Sequence, residues 1–106
     1  MVTMEEIREL ADRIAREFRP ERIILFGSYA GGRQTSDSDV DLLVILRHAG
    51  KSWRLAAEIR GRVHPGYPID VLVREPQEMR RRVAEGDPFF SDILRKGEVL
   101  YESHDG

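Results

Sequence analysis

The chain has 106 residues and a mass of 12.2 kDa, which is the size of one small domain with a single core, so we expect residues 1–106 to form one domain. Its 17 basic and 19 acidic side chains give a formal net charge of −2, which argues against strong nucleic-acid binding by the chain alone. Cysteine is absent, which excludes disulfides, thiolate zinc sites and cysteine nucleophiles. The acidic, polar start and the short apolar runs predict a cytoplasmic protein without a membrane segment.

Hydrophobic periodicity predicts helices and strands in alternation. Thr3 and Glu6 have the spacing of a capping box at the first helix, and Asp87 before a proline has the features of a helix start. In chain order, the predicted segments are a helix at 3–19, a strand at 22–26, a loop or short helical turn at 27–38, a strand at 40–46, a long helix opened by Gly50 and Ser52, a strand at 69–73, a helix at 76–85, a short helix at 88–96 and an edge strand at 99–101. This order predicts an α/β (α+β) fold, with a small mixed sheet of three or four strands flanked by helices.

Several side chains carry expectations about burial. The strand at 40–46 is apolar on both faces beyond its acidic start, so we expect it at the centre of the sheet. In the second long helix, helical spacing favours Trp53, Ala56 and Ala57 as the core face. Tyr29 lies in the polar loop, where we expect it on the surface.

Three aspartates at the starts of strands form a candidate metal site. Asp39 and Asp41 are two residues apart, so both side chains lie on one face of their strand. Carboxylates this close repel each other unless a cation lies between them, although an isolated Asp-x-Asp also occurs in solvated turns. Asp70 begins the next strand and lies beside the pair if the two strands are neighbours. Three converging carboxylates suit magnesium or manganese, with water and phosphate oxygens completing the coordination shell.

A glycine-bearing loop follows the first predicted strand. Backbone amides at such a strand-to-helix turn can bind an anion. Gly27 allows the backbone to approach a phosphate closely, and Ser28 offers a hydroxyl donor. An ordinary turn has the same composition, so this loop by itself is a weak signal.

The two motifs together resemble the signature of the DNA polymerase beta-like nucleotidyltransferase superfamily. They read Leu25-Phe26-Gly27-Ser28-x-Ala30-x-Gly32 and, after a polar loop, Ser38-Asp39-Val40-Asp41-Leu42-Leu43-Val44. Within that superfamily the chain resembles the minimal nucleotidyltransferases (MNT), small proteins usually paired with a HEPN-domain protein. The resemblance extends from the first helix to Tyr101.

The resemblance implies the nucleotidyltransferase fold, which is like the palm of polymerase beta, and it implies roles for five residues. The phosphate-gripping pair of the family falls on Gly27 and Ser28. The metal-binding aspartates fall on Asp39 and Asp41, and the third carboxylate falls on Asp70. In the superfamily the third carboxylate also helps to deprotonate the attacking hydroxyl.

One position departs from the family pattern. Many members have arginine where this chain has Gly31. Two consequences are open: Arg33 reaches the triphosphate instead, or catalysis is weakened.

The resemblance implies a magnesium-dependent enzyme, with manganese as an alternative metal, that transfers AMP from ATP to a hydroxyl group. The implied acceptor is a tyrosine of a HEPN toxin, and the chain is then its antitoxin. The alternative is an antitoxin that binds and occludes its partner without catalysis. Transfer to a small molecule is disfavoured, because we expect no separate acceptor domain in 106 residues.

Overall fold

The computed structural model of the chain describes residues 1–104. Its elements, in chain order, are α1 (Met4–Phe18), β1 (Arg22–Phe26), α2 (Ser28–Gly31), β2 (Val40–Ile45), α3 (Ser52–Val63), β3 (Ile69–Arg74), α4 (Pro76–Ala84), α5 (Pro88–Lys96) and β4 (Glu98–Glu102). These bounds agree with the predicted segments to within a few residues. In this part of the chain no helix combines the length and the apolar character needed to cross a membrane.

The four strands form one mixed sheet in the order β3-β2-β1-β4. β1 pairs antiparallel with β2 and with β4, whereas β2 and β3 are parallel. A parallel pair needs a long crossover connection, which α3 provides between β2 and β3. The predicted α/β fold with a mixed sheet is therefore confirmed, with four strands, β2 inside the sheet and β4 at an edge.

Helices cover both faces of the sheet. Side chains of α1 and α3 pack on one face against residues such as Leu42, which is fully buried. The other face packs against α4 and α5, where Leu43 meets Met79 and Phe90. Successive side chains of β2 point to opposite faces, so both layers draw on this strand. Because both faces of β2 are covered, apolar and polar residues do not alternate along this strand beyond its acidic start.

Side-chain caps fix the starts of two helices. At α1 the Thr3 hydroxyl accepts from the Glu6 amide at 3.1 Å, and the Glu6 carboxylate accepts from the Thr3 amide at 3.0 Å, which is the predicted capping box. At α5 the Asp87 carboxylate accepts from the amides of Phe89 and Phe90 at 2.9 and 3.1 Å. The predicted start of each helix is confirmed.

The predicted core face of α3 is partly wrong. Ala56 is buried as expected, but Trp53 is 66% exposed and Ala57 is exposed. The buried stripe instead continues through Ile59 and Val63, which are both fully buried. Ala56, Ile59 and Val63 are spaced at helical intervals, so the helix is rotated by about one residue from the predicted orientation.

The prediction that Tyr29 lies on the surface is also wrong. Its side chain is only 6% exposed and belongs to the layer formed with α1 and α3. Its hydroxyl accepts a hydrogen bond from the Val2 amide at 3.2 Å, so its polar end is satisfied by the start of the chain. Tyr29 thereby anchors α2 to the core.

Candidate active site

The parallel pairing of β2 with β3 brings predicted site residues together. Asp41 lies in register with Asp70 on the neighbouring strand. Asp39 immediately precedes β2 and, two residues from Asp41, falls on the same side by strand alternation. Asp39 and Asp70 are exposed, and Asp41 is half-buried. The condition set by the sequence, that the second and third strands be neighbours, is therefore met.

The three carboxylates interact electrostatically. Burial raises the pKa of Asp41 above its ordinary value, and the negative charges of Asp70 and then Asp39 raise it further. Each of these effects disfavours the ionised form of Asp41. A cation between the carboxylates would reverse this repulsion, so the local electrostatics favour binding of a metal ion.

By themselves, these aspartates do not complete the coordination shell of a metal ion. Within residues 1–104, no group of three or more His, Cys, Asp or Glu side chains is gathered closely enough to hold a metal ion by itself. Magnesium commonly binds through one or two carboxylates and takes its other ligands from water and substrate phosphates. The all-oxygen donor set of Asp39, Asp41 and Asp70 fits such an ion, shared between the protein and a bound phosphate.

Gly27 places the loop after β1 directly against Asp41. It has φ +75° and ψ −155°, a conformation that a side chain disfavours. A Cβ atom on this residue would overlap Oδ2 of Asp41, so only glycine leaves room for that carboxylate. Phe26, the preceding residue, pairs with Asp41 across the sheet. The predicted phosphate-binding loop thus adjoins the predicted metal ligands.

An open cavity of about 1080 Å³ lies on the α5 side of this loop. Ser28 in its wall is half-buried, and Arg33 is exposed. The opposite wall belongs to α5, which reasoning from sequence did not connect with the site. The residues of both walls that matter here are Gly27, Ser28, Gly31, Arg33, Arg95 and Lys96. A separate cavity of about 560 Å³, beside Met79 and Leu94, contains none of the predicted site residues.

Two adjacent phenylalanines place α5 beside the loop. Phe90 is buried beneath the sheet, whereas Phe89 is 50% exposed and lines the cavity. The Phe89 ring meets Phe26 edge-on, with centroids 6.0 Å apart, and contacts Phe90 in the same way at 5.1 Å. The end of β1 and the start of α5 are thereby joined, as aromatic edge-to-face pairs favour. Of the two adjacent rings, Phe90 therefore belongs to the core and Phe89 to the cavity wall.

A family profile described as the nucleotidyltransferase domain matches residues 7–97. This range is most of the chain and contains the loop and all three aspartates. The chain belongs to the nucleotidyltransferase domain family. The resemblance that the two linked motifs carry is thereby confirmed, and the protein has the fold and the domain of an enzyme that transfers nucleotidyl groups.

A relative from Methanocaldococcus jannaschii, MJ0604, is 27% identical over 97 residues, which cover 90% of this chain and 94% of the relative. Its name assigns it provisionally as a protein adenylyltransferase. A crystal structure described as a nucleotidyltransferase from Sulfolobus solfataricus matches 97% of this chain and 83% of its own, with a TM-score of 0.66 and 19% identity. At this identity the likeness concerns the fold.

Two solved toxin–antitoxin complexes share the fold. A structure described as a toxin–antitoxin with AMP-PNP covers 92% of this chain and 75% of its own, with a TM-score of 0.57 and 21% identity. A complex of a tri-AMPylated Shewanella oneidensis HEPN toxin with its MNT antitoxin covers 97% and 76%, with a TM-score of 0.54 and 16% identity. These identities again support likeness of fold, and the functions named are those of the other proteins.

Proposed function

We propose that this protein is a magnesium-dependent adenylyltransferase that transfers AMP from ATP to a tyrosine hydroxyl of a HEPN-domain partner. Asp39, Asp41 and Asp70 are the residues that hold the metal ion. Gly27 and Ser28 bind the polyphosphate of ATP beside it. The protein then acts as the antitoxin of its partner, because modification silences the toxin.

The proposal rests on one observation: β2, β3 and the loop after β1 meet at one end of the sheet. The β2–β3 register sets Asp41 opposite Asp70, and the missing side chain of Gly27 gives the Asp41 carboxylate its place against the loop. A turn that serves only to reverse the chain has no need for repelling carboxylates beside it. A nucleotide bound with its metal ion would use both features, the loop for phosphate and the carboxylates for the cation.

The proposed reaction is an in-line displacement at phosphorus. The acceptor oxygen forms a bond to the α-phosphorus of ATP, and the bond from that phosphorus to the oxygen bridging to the β-phosphate breaks. The products are an AMP ester of the acceptor and pyrophosphate. Asp70 accepts the hydroxyl proton and passes it to water. A magnesium ion, when bound, stabilises the negative charge on the phosphates.

The relatives support the choice of nucleotide and acceptor. MJ0604, which matches almost over its full length, carries the name of a protein adenylyltransferase. One structural neighbour is described as a complex with AMP-PNP, an analogue of ATP, and another as a tri-AMPylated HEPN toxin with its MNT antitoxin. The first two descriptions support adenylyl transfer from ATP, and the third supports a HEPN protein as the acceptor.

Intact-mass measurement of the partner tests the proposal. A candidate HEPN-domain partner from the same organism is incubated with wild-type protein, ATP and magnesium. The partner is expected to gain the mass of one or more AMP groups, and peptide mapping is expected to place them on tyrosine. Asp41→Asn should give no mass gain, whereas Asp12→Asn, which neutralises an exposed carboxylate of α1, should behave like wild type.

The same experiment separates catalysis from occlusion. Gly31 has open space around its Cα and offers no charge to a triphosphate, an observation that favours a binding-only antitoxin. A tight complex that shows no mass gain, and in which Asp41→Asn inhibits the toxin as well as wild type, would replace the proposed enzyme with an occluding antitoxin.

A further inference from the structure

We propose that Arg95 and Lys96 at the end of α5 bind the terminal phosphates of the nucleoside triphosphate, and that Asp92 pairs with both cations until the nucleotide displaces it. This inference rests on the proposed function, because it takes ATP as the ligand, but it assigns a nucleotide-binding role to residues outside the Gly27-Ser28 pair and the three aspartates. It makes α5 a second wall of the nucleotide site.

The cavity beside the loop supplies the geometry. Its volume of about 1080 Å³ is slightly above the range that is typical of small-molecule sites, which is about 300–1,000 Å³. Gly27 and Ser28 lie in one wall, and Arg95 and Lys96 lie in the other. Gly27 lies against Asp41 and also lines this cavity, so a triphosphate with its α-phosphate at the aspartates has room to extend its β- and γ-phosphates along the loop into the cavity.

The charge of the cavity matches a polyphosphate. Three of its lining side chains are cationic, namely Arg33, Arg95 and Lys96, and Asp92 is its only acidic lining residue among the described part of the chain. Gly31 leaves the loop wall without a side chain, and nothing lies within 4 Å of where its Cβ would be. Among the described residues that line this cavity, the cationic side chains that can meet the phosphates are therefore Arg33 and the two of α5.

Asp92 links the two cations. Its Oδ1 accepts from Nη2 of Arg95 at 2.9 Å and lies 3.3 Å from Nζ of Lys96. The Arg95 and Lys96 side chains are 71% and 70% exposed, so both can turn toward an arriving anion without breaking the core. A phosphate carries more charge than one carboxylate and accepts several hydrogen bonds, so it competes effectively for both cations. Basic residues also favour a helix C-terminus, and the experiment separates that structural role from binding.

Calorimetric titration in the presence of magnesium tests the inference, with ATP, AMP and inorganic tripolyphosphate as probes. Arg95→Gln and Lys96→Gln should each weaken ATP binding about tenfold, which corresponds to about 1.4 kcal/mol. Tripolyphosphate binding should weaken by a similar factor, whereas AMP binding should stay unchanged. Asp92→Asn should tighten ATP binding a few fold, because it removes a competing negative charge. Arg60→Gln on α3, across the sheet, is the charge-matched control and should bind as wild type does.

The outcomes distinguish this inference from the proposed function. Wild-type affinity for ATP should also fall more steeply with added KCl than that of the Arg95→Gln/Lys96→Gln double variant. Equal ATP affinity in wild type and double variant overturns the role of α5 and leaves the proposed enzyme standing. Equal losses for ATP and AMP overturn it as well, since a general disturbance of α5 then explains them. A wild-type protein that binds no magnesium-ATP overturns both.

Discussion

At the scale of single residues, Gly27 joins the backbone to the chemistry of the site. Its positive φ lets the chain leave β1 and enter α2, and its missing side chain leaves space for the carboxylate of Asp41. Gly31, four residues later in α2, has neither constraint: its surroundings are open and its φ is not positive. The two glycines therefore form a natural pair for mutagenesis.

We expect Gly27→Ala to destabilise the protein and to weaken ATP binding, whereas Gly31→Ala should do neither. The new methyl group at residue 27 meets Oδ2 of Asp41 and holds the backbone in a strained region, which costs about 1–3 kcal/mol. Alanine at residue 31 should add up to about 1 kcal/mol of stability, because glycine is the poorer helix former. Urea unfolding and ATP titration of both variants check this. Equal stability of the two variants would contradict the close packing at Gly27.

Asp41→Asn is expected to raise the melting temperature of the metal-free protein. The raised pKa of Asp41 means that burial and the charges of Asp70 and Asp39 destabilise its ionised form, and a neutral amide removes both effects. In EDTA the variant should therefore melt higher than wild type. With magnesium and ATP the order should reverse, since only the wild type gains stability by binding. A lower melting temperature in EDTA would show that the carboxylates do not repel each other.

At the scale of elements, α5 depends on its N-terminal cap. The Asp87 carboxylate accepts hydrogen bonds from two amides of the first turn, and its Oδ2 accepts from Arg82 of α4 at 3.2 Å. These contacts lower the pKa of Asp87, chiefly through the bond from the Phe90 amide and then through Arg82. The cap holds the helix whose last turn carries the cationic wall of the cavity.

Replacing Asp87 should produce a pH-dependent loss of stability. Because the pKa is lower in the folded state, the stabilisation is fully present above the unfolded pKa of about 3.9, and it is lost as the pH falls through the folded pKa. Asp87→Ala should therefore melt below wild type at neutral pH, and the difference should close in acid. Asp87→Asn, which keeps an acceptor oxygen, should lose less. Melting curves from about pH 7 to about pH 2 check this. A difference that is independent of pH would exclude the charged cap.

Helix orientation is the feature that the sequence left undetermined. In α3 two stripes have helical spacing: one contains Trp53 and Ala57, and the other contains Ala56, Ile59 and Val63. The second stripe is buried because aliphatic side chains enter the core without an unpaired polar group, whereas the indole N–H of tryptophan needs a partner. Trp53 stays outside, with the Arg54 guanidinium 5.5 Å from its ring centroid. Periodicity alone could not choose between these stripes.

At the scale of the whole molecule, sequence patterns could predict the loop after β1 and the three aspartates, but they could not predict the wall that α5 contributes to the cavity. Gly27 directly follows β1, and Asp41 lies on β2, the antiparallel neighbour of β1. Asp70 enters by a single assumption about neighbouring strands, which the sheet order satisfies. The wall formed by Arg95 and Lys96 depends on how α5 packs beneath β1, about 70 residues away in the chain, and no local pattern specifies that packing.

The open placement of the aspartates bears on how the whole protein works. Asp39 and Asp70 are exposed at the end of the sheet, so an acceptor reaches them from solvent. Transfer requires the acceptor oxygen to be held close to the α-phosphorus and in line with the leaving group, and without this positioning most of the rate advantage is lost. The described part of the chain presents the proposed phosphate-binding and metal-binding residues at this place, and the proposed partner brings the hydroxyl.

We therefore expect the isolated protein to bind magnesium-ATP but to release pyrophosphate slowly. Addition of the HEPN-domain partner should raise the rate of pyrophosphate release about a hundredfold or more, because the accepting tyrosine is then positioned for attack. A partner in which the modified tyrosine is changed to phenylalanine should restore the slow rate while still forming the complex, as measured by gel filtration. Coupled detection of pyrophosphate follows the reaction directly. If the isolated chain releases pyrophosphate as fast as the complex does, water or a small molecule is the acceptor, and the partner then serves another purpose.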